Sequence, residues 1–74
     1  FDLAAPAVVR VEVYNALGAL VEVLVDGRNL DAGRHQVQFN GTTVAGASLP
    51  SGVYYYRLKA DGATIQTKKM IYLR

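Results

Sequence analysis

A turn with proline and small residues, followed by eight strand-forming residues, constrains the fold of this chain most. Residues 49–52 (LPSG) exclude regular structure, and residues 53–60 (VYYYRLKA) are rich in the aromatic and β-branched types that favour a strand. Successive side chains of a strand point to opposite faces, and permanent charge lies only on the face of Arg57 and Lys59. We predict that the opposite face belongs to the core, with Tyr54, Tyr56 and Leu58.

The most regular alternation lies at residues 8–14, where apolar and polar side chains take turns. This is typical of a strand with one buried and one solvated face, and its buried positions are Val9, Val11 and Val13. Residues 15–18 (NALG) lead from this strand to an apolar run at 20–25, so we predict a hairpin. Because that run is apolar on both faces except at Glu22, we also expect a bulge or bend within it.

The middle of the chain is predicted to hold a connector, one strand and a loop. Residues 26–33 are polar and contain two glycines, and we expect them to cross from one sheet to the other. Apolar and polar residues alternate over 35–39, which predicts a strand whose inward face carries His35, Val37 and Phe39. Asn40-Gly41 is expected to end that strand, and residues 42–51 are expected to form a loop.

The whole pattern predicts a single all-β domain over residues 1–74. Asp61-Gly62 is a two-residue turn signal that joins strand 53–60 to a last strand at 64–73. About six to seven short antiparallel strands without helical periodicity favour an immunoglobulin- or fibronectin-like two-sheet sandwich. The alternative fold is a closed barrel. The predicted core comprises Val9, Val11, Val13, Val37, Phe39, Tyr54, Tyr56 and Leu58.

The length and the first residues indicate that the domain has a neighbour. The chain begins at Phe1 without methionine, and we expect a fragment or processed product whose first strand lacks its beginning and is ended by Pro6. Domains of this size bury only about 60% of the surface that the unfolded chain exposes. Because the chain has no cysteine and one histidine, we expect neither a disulfide nor a zinc or iron site to stabilise it. We expect it to be the C-terminal domain of a larger exported protein, or to pack against copies of itself.

Patterns for catalysis and metal binding are missing from the sequence. The carboxylates are scattered singly, and Asp26 and Asp61 precede glycines, where aspartate favours a turn. No carboxylate or serine is placed to work with His35, which we predict to be a packed or hydrogen-bonded structural residue. We therefore predict no enzyme activity, no metal and no cofactor. The net charge of +2 is too mild to indicate nucleic acid, and no apolar run approaches the ~18 residues that span a membrane.

Aromatic and basic side chains are the candidates for partner contacts. Tyr14 and Tyr55 fall on outward faces, where a tyrosine can stack on a sugar ring or join a protein interface. The inward Tyr54 and Tyr56 are expected to reach polar partners, and one of them fits the tyrosine corner of Greek-key sandwiches. The C-terminal hairpin is basic, and its simplest interpretation is a solvated face that discourages edge pairing by means of Arg57, Lys59, Lys68, Lys69 and Arg74.

Five segments in order along almost the whole chain carry a family resemblance. They are residues 11–18 (VEVYNALG), 30–35 (LDAGRH), 39–41 (FNG), 50–58 (PSGVYYYRL) and 68–74 (KKMIYLR). Together they resemble the type A C-terminal sorting domain of type IX secretion, and they are also similar to the immunoglobulin-like module of flagellar hook-capping proteins. The resemblance implies a non-catalytic domain of an exported bacterial protein, located outside the cell or on its surface.

The resemblance also implies a partner and the residues that meet it. The partner would be the outer-membrane secretion machinery, and the recognised elements would be the turn Pro50-Ser51-Gly52 and the last strand around Lys68, Lys69 and Met70. Two other functions stay open. One is a self-assembling subunit of an extracellular fibre held by strand donation, and the other is a carbohydrate-binding accessory domain that uses Tyr14 or Tyr55.

Overall fold

A computed structural model describes residues 1–39, 41 and 46–73. Within these residues the chain forms six strands, namely β1 (Asp2–Leu3), β2 (Ala7–Asn15), β3 (Leu20–Leu30), β4 (Gly33–Arg34), β5 (Gly52–Ala60) and β6 (Ala63–Tyr72). The larger sheet has the order β3-β2-β5-β6, and β1 pairs with β4 in a second, small sheet. All the pairs are antiparallel, so the predicted all-β, immunoglobulin-like sandwich is confirmed.

Strands β2 and β5 form the centre of the larger sheet. Val11 of β2 lies opposite Leu58 of β5, and directly opposed residues share a face of the sheet. The inner face, which meets the small sheet, carries buried side chains at Val9, Val11, Val13, Tyr54 and Leu58. The outer face carries Arg10, Glu12, Tyr14, Tyr55, Arg57 and Lys59. The period-two pattern of both strands therefore assigns the two faces as the sequence predicts.

Two clusters of buried side chains lie over the inner face. In the first, Leu3 comes from the small sheet and packs with Val9, Val11, Val25 and Leu58. The second cluster consists of Val13, Leu49 and Tyr54. Full burial of a Leu or Val side chain stabilises by about 1.5–3 kcal/mol. The first cluster therefore holds the two sheets together, and the second packs the segment at Leu49 against β2 and β5.

Both predicted hairpins are present. At the first, the Asn15 side-chain oxygen accepts hydrogen bonds from the backbone N–H groups of Leu17 and Ala19, at 3.0 and 2.9 Å. At the second, the Asp61 carboxylate accepts the N–H of Val8 at 2.9 Å, and the Asp61 N–H donates to the Val8 carbonyl at 2.8 Å. The side chain of Asp61 thus does more than shape its own turn, because it ties that turn to the beginning of β2.

Strand β3 is longer than the sequence predicts. Its pairing with β2 shifts register at three places, and the two that lie within residues 20–25 confirm the irregularity expected there. Pairing then resumes, with Arg28 opposite Val9 and Leu30 opposite Ala7. The prediction of a connector over residues 26–33 is therefore wrong for 26–30. The register shifts keep the backbone in the sheet past Gly27, whose positive φ of 66° is readily adopted by glycine.

The predicted strand over residues 35–39 is also wrong. Strand β4 ends at Arg34, and pairing continues only through two backbone hydrogen bonds between Phe1 and His35. Alternation fixes the facing of a side chain only where a strand is paired. Val37 is accordingly 37% exposed instead of lying in the core.

Two further residues of the predicted core are only half-buried. Phe39 and Tyr56 pack against the second cluster from its margin, where the small sheet does not cover the inner face. The predicted strand end at Asn40, a large part of the predicted loop (residues 42–45) and Arg74 lie outside the described residues.

Candidate functional site

Strand β6 is an edge of the larger sheet and carries three of the eight predicted partner-binding residues. Among the residues that the structure describes, β6 has a neighbouring strand on one side, β5, so one row of its backbone N–H and C=O groups has no strand partner there. Large apolar side chains are exposed along this edge, including Ile65, Ile71 and, just beyond the strand, Leu73. An exposed, partly apolar edge strand is a surface on which a second polypeptide can pair.

The structure separates the three predicted contact residues of β6. Lys69 lies opposite Tyr55 and therefore on the outer face, whereas Lys68 lies opposite Tyr56 and on the inner face. Met70 lies opposite Tyr54 and packs, half-buried, against the second core cluster. The two lysines are adjacent in sequence but cannot contact the same flat partner surface.

The turn at Pro50-Ser51-Gly52 is brought beside the end of β6. Gly52 lies opposite Tyr72, and the Tyr54 hydroxyl donates a hydrogen bond to the Pro50 carbonyl at 2.6 Å. This bond is the tyrosine corner that the sequence predicts. The Tyr54 and Tyr72 rings meet edge to face with centroids 6.2 Å apart, so the turn and the strand end form one aromatic corner.

The outer face holds a polar network around one buried carboxylate. Glu12 is 5% exposed, although the sequence predicts a solvated face at this position. Its carboxylate accepts hydrogen bonds from Arg10 Nε and from the Tyr14 hydroxyl, both at 2.8 Å, and lies 3.5 Å from Lys59 Nζ. Arg10 also donates to Asp26 at 2.6 Å. A buried carboxylate needs such donors, because its charge is costly to remove from water without them.

The network shifts the ionisation of its members. Burial by itself raises the pKa of the Glu12 carboxyl, but the hydrogen bonds from Arg10 and Tyr14 and the charge of Lys59 outweigh burial and lower that pKa below its ordinary value. Burial and the hydrogen bond to the Glu12 carboxylate raise the pKa of Tyr14. The hydrogen bond to Glu12 likewise raises the pKa of Arg10. The network therefore favours an ionised Glu12 and a neutral Tyr14.

Sequence reasoning missed this network. The available signal was the spacing Arg10-x-Glu12-x-Tyr14, which places three complementary polar groups side by side on one strand face. The outward facing of Tyr14 was predicted, but its ring carries the Arg57 guanidinium 5.0 Å from the centroid. Tyr55, 38% exposed, is the more open of the two tyrosines. Stacking of a sugar on Tyr14 would have to displace Arg57.

The inner face remains partly open beside residues 35–39. A groove of about 720 Å³ lies there, and its apolar walls include Val11, Leu24, Phe39, Tyr56 and Met70. At one end, the His35 ring stacks on Phe1 with centroids 5.5 Å apart, and its Nε2 lies 2.7 Å from the Asp31 carbonyl oxygen. His35 is thus placed as a packed, hydrogen-bonded residue, as the sequence predicts.

The described residues hold neither a metal-binding cluster nor a membrane-spanning helix. Among the described residues, no three His, Asp or Glu side chains come together in a way that could hold a metal ion. In the same part of the chain, no helix has the length and apolar character required to cross a bilayer.

The chain matches the model of a known domain family. Residues 1–64 match the family model described as the FlgD Ig-like domain, an immunoglobulin-like module of flagellar hook-capping proteins. No curated protein and no solved structure matches the chain significantly. The matched residues include β1 to β5 and the turn into β6, and they stop before Lys68 and Lys69.

Proposed function

Because the chain belongs to the FlgD Ig-like domain family, we propose that it is a non-catalytic protein-interaction module of an exported bacterial assembly. The family is one of structural domains. The observation that carries the proposal is the edge strand β6, whose outer row of backbone groups pairs with no strand of the described residues and lies next to exposed Ile65 and Ile71. A partner strand that adds to this edge gains main-chain hydrogen bonds, and side-chain pockets give it specificity.

In its finer form, the module is a C-terminal sorting or surface-anchoring domain recognised by outer-membrane secretion machinery. The resemblance of residues 50–58 and 68–74 to the type IX sorting domain supports this form. So does the position of Gly52 opposite Tyr72, because it makes the turn and the last strand one continuous surface that a single receptor can contact. The protein would then act outside the cell or on its surface.

A fusion of residues 1–74 to a reporter protein tests the sorting role. Replacing both Lys68 and Lys69 by glutamate is expected to abolish delivery of the reporter to the cell surface. Both side chains are exposed, so the substitutions should leave the fold intact, which circular dichroism and a melting curve would check. Normal delivery of the double variant would reject the basic strand as the recognised element.

The single substitutions sharpen this test, since the two lysines lie on opposite faces. Loss of delivery with Lys69→Glu alone would assign recognition to the outer face, and loss with Lys68→Glu alone would assign it to the inner face. A matched control is Arg28→Glu, which reverses an exposed positive charge on β3, at the opposite edge of the sheet from β6, and is expected to be delivered normally.

A second candidate function is a self-assembling subunit of an extracellular fibre. The open apolar groove beside residues 35–39 favours it, because a strand donated by a second copy could cover the inner face there. The exposed Ile71 and Leu73 supply an apolar segment of suitable chemistry. Size-exclusion chromatography at micromolar concentration separates the candidates. Large assemblies that disappear in a Leu73→Glu variant would support strand donation, and a monomer would reject it.

A further inference from the structure

We propose that the outer face of the larger sheet docks an extended, acidic segment of a partner protein, whose carboxylates pair with Arg57 and Lys69. This inference rests on the proposed function as a protein-interaction module and adds the chemistry of the partner. The edge of β6 and the outer face are different surfaces, so the two can be tested separately.

Two cations of the outer face, Arg57 and Lys69, are available to pair with a partner's carboxylates. The face carries Arg10, Lys59, Arg57 and Lys69 and the carboxylate of Glu12. Glu12 is buried and is already paired with Arg10 and Lys59, and Arg10 also binds Asp26. Among the described residues, neither Arg57 nor Lys69 is within salt-bridge distance of a carboxylate. The face therefore presents the positive charge of Arg57 and Lys69 to solvent, whereas Glu12 is buried and the exposed Asp26 is paired with Arg10.

The spacing of these two cations suits an extended acidic chain. Arg57 lies opposite Thr67, and Lys69 is two residues further along β6, so the cations are diagonal neighbours on adjacent strands. Such neighbours are about 7–8 Å apart. Residues i and i+2 of an extended peptide are separated by about 6.5–7 Å and point to the same side. Carboxylates at alternate positions of a partner strand can therefore reach both cations.

Arg57 is held in place before any partner arrives. Its guanidinium lies over the Tyr14 ring, 5.0 Å from the centroid, and the Tyr14 hydroxyl is fixed in turn by its bond to Glu12. A side chain that is already ordered loses less conformational entropy on binding. The buried network of Glu12 thus acts as the support that orients a cation toward the partner.

The same contacts favour a protein over a nucleic acid. Single-stranded nucleic acid is bound by a groove of many cations with open aromatic rings for the bases. On this face the Tyr14 ring is already covered by Arg57, and only two cations are unpaired among the described residues. Tyr55, beside Lys69, instead provides the amphipathic contact that protein interfaces favour.

Binding of a synthetic peptide tests the inference. The probe is a fluorescent peptide of about ten alternating Glu and Thr residues, and its control replaces every Glu by Gln. We expect the purified domain to bind the acidic peptide, more weakly as salt rises, and not to bind the control. Arg57→Gln and Lys69→Gln should each weaken binding by about two- to fivefold, as expected for exposed ion pairs.

Lys68→Gln is the matched protein control, since it removes the same charge from the next residue but on the opposite face. It should leave peptide affinity unchanged. Equal weakening by Lys68→Gln, absence of binding at low salt, or tighter binding of a single-stranded oligonucleotide of equal charge would overturn the inference. Backbone amide shifts, induced by the peptide at Tyr55, Arg57 and Lys69, provide an independent readout if Arg57→Gln lowers stability.

Failure here is distinguishable from failure of the export role. If Lys69→Glu stops surface delivery but the acidic peptide does not bind, this inference falls and the sorting proposal stands. If the peptide binds but the double lysine variant is delivered normally, the outer face docks an acidic partner and the basic strand is not a sorting signal.

Discussion

The Tyr54 hydroxyl donates to the Pro50 carbonyl at 2.6 Å and so ties the turn before β5 to the core that the Tyr54 ring helps to form. The ring itself is 3% exposed. Proline and glycine set where β5 begins, and this bond keeps the preceding backbone against the sheet. The turn and the core are therefore stabilised by the same side chain.

Removing this hydroxyl should cost stability without disturbing the packing. Tyr54→Phe keeps the buried ring, and we expect the free energy of unfolding to fall by about 0.5–1.5 kcal/mol. Tyr55→Phe is the control, because this neighbour lies on the outer face and is exposed. Urea denaturation measures both, and equal losses would show that the bond to Pro50 contributes nothing.

Truncation of the central core residue should be far more damaging. Leu58 is 2% exposed and packs in the first cluster, so Leu58→Ala should lower the free energy of unfolding by about 2–5 kcal/mol. Leu58→Met keeps the volume and should cost less than about 1.5 kcal/mol, which keeps the comparison measurable if the alanine variant is unfolded. Ile71→Ala, at an exposed position, serves as the control. A similar loss for Ile71→Ala would contradict the assignment of the inner face.

The Glu12 network predicts a stability that depends on pH. The pKa of Glu12 is lowered in the folded state, so the ionised carboxylate stabilises the fold above its unfolded pKa of about 4.3. This contribution is lost as the pH falls through the lower, folded pKa. Glu12→Gln should cost about 1–3 kcal/mol near neutral pH, and the gap to the wild type should narrow in acid.

Chemical denaturation at several pH values measures this gap. Asp31→Asn is the control, because it removes an exposed carboxylate that forms no ion pair with the described residues. A gap between the Glu12→Gln variant and the wild type that stays constant from neutral pH into acid would show that Glu12 titrates alike in the folded and unfolded states.

Gly41 and Gly46 give a paired test of the aromatic corner. Both have positive φ, 74° and 84°. Backbone strain alone should therefore lower the free energy of unfolding by about 1–2 kcal/mol when alanine replaces either glycine. A Cβ on Gly41 would also collide with the Tyr72 side chain, whereas a Cβ on Gly46 would meet open space. Gly41→Ala should therefore lower the melting temperature more than Gly46→Ala. Equal shifts would mean that Tyr72 can move aside at no cost.

Much of the fold was predictable where local chemistry acts alone. Period-two alternation assigned the faces of β2 and β5, and Asn15 and Asp61 marked their hairpins, because side-chain direction and turn conformation depend on neighbouring residues. Residues 35–39 have equally good alternation but lie in no strand of the described part of the chain, and Val37 is exposed as a result. Pairing depends on which distant strand is available, and the local pattern does not contain that information.

The candidate surfaces divide in the same way. The sequence by itself determined that Tyr55, Lys68 and Lys69 belong to the last hairpin and that a turn at Pro50 precedes it. Only the tertiary structure decided which of the two lysines lies on the inner face and that Glu12 lies buried between Arg10 and Lys59. The physical reason is that burial and charge pairing arise between strands distant in sequence, whose register is set by packing of the whole sheet.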